Sequence, residues 1–368
     1  MSGHIAWITK GFGYGHAAKD LPVLEAIRLS EPRLRVTLAS AGLGLEYYRQ
    51  RGVPCHDLGI SDDGSDRGAR SSQLIHEHLA RTGGCDLLVG HESWEAVPVS
   101  RRFRVPCVIL THWFFTEVGR PDMDQALLAG ANAIVVLDSP AAHHQPDFLT
   151  QPITFTGSIA NLFATDQATA RHNLGLVGPG RVIVASLGAF RERKIPALTG
   201  ILETILRAWR HDVCPADRLL ILGPRVLFEP IASLEDDRVQ WVGLTQRAAE
   251  YHAAADLVLA ANTYTTLSEL VRNRCQVISF ENSDPIDTLH SDFFRSRNLI
   301  QVVAKPAREG AATVEPRMLW GQMESVMNRP APTGPTPPDV VWADPGTVAK
   351  AVLSQLRNQT VNFSWHVD

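Results

Sequence analysis

His16 closes a glycine-bearing loop, Gly11-Phe-Gly-Tyr-Gly-His16, that follows the first apolar run of the chain. Imidazole, with an unperturbed pKa of about 6.5, can take a proton from a hydroxyl at neutral pH. A second polar pair, His91 and Glu92, follows another apolar run and reads in one of two ways: it orients His16, or it is only a polar loop. The loop does not match GxGxxG, because His16 stands where the third glycine would be. No acidic residue follows the next strand, which ends Ala39-Ser40-Ala41-Gly42, to hold a ribose. Dinucleotide binding is therefore a weak reading, and a tight turn that passes close to a sheet is an equal one.

Two segments of the second half carry anion-binding chemistry. Ser186-Leu-Gly188-Ala189 offers backbone N–H groups where a strand gives way to a helix, and such groups bind phosphate. In Asn262-Thr-Tyr-Thr-Thr-Leu-Ser-Glu269, the N–H groups and the hydroxyls of Thr265 and Thr266 suit a diphosphate. Glu269, about a turn further on, suits the two hydroxyls of a ribose. The bland alternative is that Thr and Ser cap the helix and Glu269 is solvated.

These residues need a scaffold that gathers strand ends. Short Val/Ile/Leu-rich runs predict strands at Ile5–Thr9, Arg35–Ser40, Asp86–Gly90, Val105–Thr111 and Ala133–Asp138. A second set falls at Arg181–Gly188, Arg218–Gly223, Val239–Gly243, Asp256–Ala261 and Gln276–Phe280. Helical patterns lie between them at Leu21–Leu29, Pro196–Trp209, Gln246–Ala254 and Thr265–Arg274. Continuous apolar strands alternating with helices predict an α/β fold with doubly wound parallel sheets. Two strand–glycine-turn starts predict two Rossmann-like domains facing a cleft, bounded at 1–157 and 158–345. A last helix is expected near Thr347–Arg357, within a tail at 346–368. Asp20 is read as the N-cap of the first helix, with Pro22 in its first turn.

Composition excludes other classes. The 368 residues are 45% hydrophobic and 20% charged, with a net charge of -4, which suits neither disorder nor a nucleic-acid footprint. The mean hydropathy is -0.05, and no apolar run approaches the ~18 residues of a membrane span. Five scattered cysteines without CxxC read as reduced thiols, and the start lacks signal-peptide character, so a cytoplasmic protein is expected. Asp62-Asp63-Gly-Ser-Asp66 has the wrong spacing for a calcium loop, and no metal or cofactor is expected.

The series GFGYGH, TGSIAN (Thr156–Asn161), VIVASLGAF, VQWVGLTQRAAEYHAAADLVLAANTYTTLSEL and VISFENSDPIDTLHSDFF resembles a GT-B glycosyltransferase. The likeness is nearest to the MurG type and its UDP-glycosyltransferase relatives, and strongest over 156–303. The resemblance implies a first domain that binds acceptor, a second that binds a nucleotide sugar, and a C-terminal helix, here within 346–368, that packs back towards the first. His16 then matches the loop histidine near the acceptor, and Ser186 and Gly188 match the diphosphate turn. Val242 matches the position whose backbone reads the nucleobase, Thr266, Ser268 and Glu269 the diphosphate- and ribose-binding helix, and Asp284 and Asp287 the sugar loop. This sequence departs from the pattern at Asn161, where an arginine is usual, at Thr263-Tyr264 in place of Gly-Ala, and at Ile286-Asp287 in place of Gln-Gln. Arg225, Arg191, Arg193 or Lys194 would supply the missing charge.

The function expected from this likeness is an inverting, metal-independent transfer of a sugar from a nucleotide diphosphate, UDP favoured, to a soluble small-molecule acceptor. His16, alone or with Glu92, is the base; Gly13, Tyr14, His91, Trp94, His112 and Trp113 form the acceptor pocket. A nucleotide-sugar epimerase or hydrolase, and a non-catalytic nucleotide-sugar-binding partner subunit, are the alternatives.

Overall fold

The computed structural model describes residues 3–60, 68–112, 127–144, 148–188, 195–210, 214–225, 229, 237–261, 263–281, 285–303 and 314–362, with backbone alone at 285–287 and 358–362. The chain divides into two compact units, 1–159 with 338–368, and 160–337.

The first unit runs β1 (Gly3–Thr9), α1 (Gly15–Ser30), β2 (Leu34–Ser40), α2 (Gly42–Gln50), β3 (His56–Asp57), α3 (Ala69–Thr82), β4 (Leu87–His91), α4 (Ala96–Phe103), β5 (Cys107–Thr111), β6 (Ala133–Val136) and β7 (Ile153–Phe155). Its seven strands are all parallel, in the order β3-β2-β1-β4-β5-β6-β7. β4 and β5 are buried along their whole length, as strands covered on both faces must be. The strand order reverses between β1 and β4. The chain after these two strands therefore borders the crevice where open α/β sheets take ligands.

The second unit runs α5 (Gln167–Asn173), β8 (Val182–Ser186), α6 (Ile195–Trp209), β9 (Arg218–Leu222), β10 (Val239–Trp241), α7 (Ala248–Ala254), β11 (Leu257–Ala261), α8 (Tyr264–Arg272), β12 (Val277–Phe280), α9 (Pro285–Arg295), β13 (Gln301–Val303) and α10 (Pro316–Met327). Its six parallel strands follow the order β10-β9-β8-β11-β12-β13, with the reversal between β8 and β11. Ile183, Leu202, Ile205, Trp209, Leu219, Leu259 and Ile278 form its core.

The chain then returns to the first unit. Ser158 N–H donates to the Val341 carbonyl at 2.8 Å, and Ala343 N–H to the Ser158 carbonyl at 2.9 Å. Gly157 permits this approach: its φ is +88°, and a Cβ there would meet the Val341 oxygen at 2.7 Å. The last helix, α11 (Pro345–Asn362), places Val348, Ala349, Val352, Leu353 and Leu356 in one core with Ile5, Trp7 and Ile27.

The ten strands expected from sequence all form. β3, β7 and β13 do not announce themselves in the sequence, since each is two or three residues long and lies at a sheet edge. Short edge strands are one device against edge-to-edge aggregation, and they carry little pattern to read. The start of α1 corrects the expectation at Asp20. The helix begins at Gly15 after Tyr14, so Pro22 sits inside it. Asp20 does not cap; its carboxylate is buried in a polar cluster instead.

Candidate active site

The end of β1 and the first turns of α1, together with the ends of β4 and β5, assemble three histidines and two carboxylates. His16 lies in the first turn of α1, His91 ends β4, and His112 directly follows β5. Nε2 of His16 lies 2.9 Å from Oε2 of Glu92, and Nδ1 of His112 lies 2.9 Å from Oε1 of the same carboxylate. Nδ1 of His91 lies 2.7 Å from Oδ1 of Asp20. The second Asp20 oxygen accepts from the Thr9 hydroxyl at 2.6 Å and the Tyr48 hydroxyl at 2.9 Å. Ring centroids are 4.8 Å apart for His16 and His91, 5.3 Å for His16 and His112, and 5.0 Å for His91 and His112.

The backbone holds Glu92 in place at a cost. Its φ is +49°, a left-handed conformation that a non-glycine residue adopts only where its surroundings enforce it. Its N–H donates to the Leu110 carbonyl at 2.9 Å, while its side chain is buried among His16, His112 and, at 3.8 Å, Lys10.

Burial opposes ionisation of Glu92, but His16 and the bonds from His112 and His16 outweigh it and hold the carboxyl well below its ordinary range. Burial likewise opposes charge on Asp20, and His91 with Thr9 overcomes it. Burial lowers His16, against the pull of Glu92, and drives His112 well down with help from Lys19. Ionised carboxylates only accept hydrogen bonds, so His16 donates through Nε2 and carries its lone pair on Nδ1. That Nδ1 is buried without a hydrogen-bond partner among the described residues, as is Nε2 of His91. Chemically, such a group accepts a proton, or several such nitrogens share an ion.

Among the other expected first-unit residues, Trp94 borders the cluster through Lys10, whose Nζ lies 5.8 Å from the Trp94 ring centroid and 3.8 Å from Glu92. Gly13 and Tyr14 immediately precede α1, and the Tyr14 ring rests 5.3 Å from Tyr47. Trp94 is 3% exposed and belongs to the core with Ile75 and Leu79. Trp113 lies outside the described residues. Asp20 is the residue that sequence reasoning misassigned. Its signal was its place one turn beyond His16 on the same helix.

In the second unit, Ser186 ends β8 and Gly188 follows it at φ +76°, where a Cβ would lie 3.5 Å from Thr263 Cγ2. The turn therefore stays open beside the start of α8. Thr265 and Thr266 are half-buried in the first turn of α8, and Glu269 accepts from Asn161 Nδ2 at 2.9 Å. Asn161, standing where the resemblance expects an arginine, thus positions the expected ribose carboxylate. Ser268 differs: it is fully buried, so its hydroxyl faces the core. Val242 N–H donates to the Ile221 carbonyl at 3.0 Å, which takes that group out of nucleobase reading. Ser186 Oγ lies 3.0 Å from Nε2 of His252, a buried ring whose pKa burial lowers to about 4. Arg225 is exposed after β9. Asp284, Arg191, Arg193 and Lys194 lie outside the described residues, and of Asp287 only the backbone, in α9, is described.

Two parallel Rossmann-like sheets in this order define the GT-B architecture, and solved structures share it along nearly all of the chain. MurG of Acinetobacter baumannii is 12% identical at a TM-score of 0.62, covering 95% of this chain and 99% of its own. The spinosyn forosaminyltransferase SpnP is 12% identical at 0.62, covering 96% and 94%. The UDP-GlcNAc 2-epimerase of Neisseria meningitidis, bound to UDP-GlcNAc, is 11% identical at 0.60, covering 96% and 100%. The fold is thus shared by transferases and epimerases alike. No family model matches the chain, and no curated protein does. No helix among the described residues is long and apolar enough to cross a membrane.

Proposed function

We propose that this protein is an inverting glycosyltransferase that moves a sugar from a nucleotide diphosphate, with UDP favoured, to a soluble small-molecule acceptor. The observation that carries the reading is the His16–Glu92 pair at the carboxyl ends of β1 and β4. An acceptor hydroxyl gives its proton to Nδ1 of His16, and its oxygen forms a bond to the anomeric carbon. The bond from that carbon to the diphosphate oxygen breaks on the opposite face, which inverts the centre. Glu92 stabilises the imidazolium so formed, as a carboxylate does behind any histidine base. The leaving diphosphate is met by the N–H groups at the start of α8 and by the Ser186–Gly188 turn, an electrostatic contribution of about 3 kcal/mol per well-placed donor. Glu269, held by Asn161, takes the ribose hydroxyls. The mechanism assigns no step to a metal or cofactor.

A second reading, a nucleotide-sugar epimerase or hydrolase, has its support in the epimerases that share the fold. A thermal-shift panel of UDP, dTDP and GDP with their sugars fixes the donor. Nucleoside diphosphate release that requires an acceptor supports the transferase. Donor conversion without acceptor supports the second reading, and donor binding without turnover on a broad acceptor panel leaves only a binding subunit.

A further inference from the structure

The three imidazoles of the first unit do more than surround one base. One ring nitrogen from each of His16, His91 and His112 lies within 4.8 Å of the other two. Each ring donates its other nitrogen's proton to a carboxylate: His91 to Asp20 at 2.7 Å, His16 and His112 to Glu92 at 2.9 Å. In this arrangement the lone pairs fall on Nδ1 of His16, Nε2 of His91 and Nε2 of His112. The His91 ring is 0% exposed, and its Nε2 has no hydrogen-bond partner among the described residues. A buried polar nitrogen without a partner is costly unless something is built to meet it.

We propose that His16, His91 and His112 form a binding site for a divalent transition-metal ion of the zinc class, with a fourth position open. Neutral imidazole is the ligand such ions favour, and three with an open position is a common zinc arrangement. Asp20 and Glu92 supply the outer carboxylates that fix the tautomer and orientation of metal-binding histidines. Their charges offset Lys10 and Lys19, the cations that face the cluster. Nitrogens around tetrahedral zinc lie about 3.4 Å apart for bonds of about 2.0–2.1 Å, so binding draws the rings together by roughly an ångström. The ion takes the same His16 nitrogen that would accept the acceptor's proton, so occupancy and turnover exclude one another. That consequence rests on the transferase reading; the binding itself does not.

The test uses the full chain, stripped with a chelator and assayed without substrate. Zn2+ is titrated in competition with a chromogenic chelator, and Co2+ is followed by its visible ligand-field absorption. One tight equivalent is expected, with ligand-field bands of low coordination number. His16→Ala and His112→Ala should each lose that equivalent, and Asp20→Asn should weaken it about 10- to 100-fold. His16 sits at the start of a helix with a partly exposed side chain, so its variant tests the site if His112→Ala fails to fold. Absence of a tight equivalent in the wild type, or its survival in a folded His16→Ala protein, overturns the proposal.

Discussion

Glu92 receives His16 Nε2–H at 2.9 Å on one carboxylate oxygen while its other oxygen holds His112. One carboxylate therefore fixes the tautomer of two rings, and its unusual backbone φ of +49° places it between them. Glu92→Gln removes the charge that stabilises an imidazolium at His16 and lets the ring reverse its tautomer. Turnover should fall roughly 100-fold or more with donor affinity unchanged, as when other histidine bases lose their carboxylate. Steady-state kinetics beside calorimetric donor binding separate the two effects; a matching loss of donor affinity would place Glu92 in donor binding.

Asp20 accepts from His91, Thr9 and Tyr48 in the interior of the first unit. Asp20→Asn keeps the shape but turns one accepting oxygen into a donor facing donors. The first unit should lose about 1–3 kcal/mol in denaturant unfolding. No change in the unfolding midpoint would show that the cluster contributes nothing to folding.

His252 gives the second unit an acid-side instability. Burial lowers its pKa to about 4, against 6.5 for the unfolded ring. Between these values the unfolded chain binds a proton that the folded one refuses. Stability is therefore complete above about pH 6.5 and falls as the pH drops towards 4, by about 3 kcal/mol. His252→Gln can retain a bond to Ser186 but does not titrate, so its unfolding curve should flatten over that window. An unchanged pH slope would exclude His252 as the source.

Gly188→Ala places a side chain at φ +76° beside Thr263. The strain should cost about 1 kcal/mol, and UDP affinity should fall because the open turn moves. Isothermal calorimetry with UDP reads this directly, and wild-type affinity would remove the turn from the donor site.

The helix α11 contributes Leu353, 2% exposed, to the core of the first unit. Leu353→Ala should destabilise that unit by about 2–5 kcal/mol. Local hydrogen exchange should rise in β1 and α1 first; exchange confined to α11 would mean that the helix is not integral to that core.

The long strands and their order of appearance were legible because strands buried on both faces are continuously apolar, as in Leu87–Leu88–Val89. His16 and Glu92 were legible as strand-end residues, but their contact spans 76 positions and only the fold reveals it. Asp20 was misread because Asp before a helical pattern signals a cap, whereas burial and the His91 partnership won here. The resemblance places Ser268 at the diphosphate and the expected acceptor pocket includes Trp94, yet both side chains are buried, at 0% and 3% exposed. Which face of a strand end or of a helix turn points inward is set by packing partners distant in sequence, such as those that bury Ser268 within α8.

The most direct test measures nucleoside diphosphate release from a UDP-sugar in the presence of acceptor, for wild type and His16→Ala at equal donor saturation. Removing a general base should lower the rate about 10²- to 10⁴-fold while the UDP-sugar dissociation constant stays the same. Equal rates in the two proteins would contradict His16 as the proton acceptor and with it the account of this site.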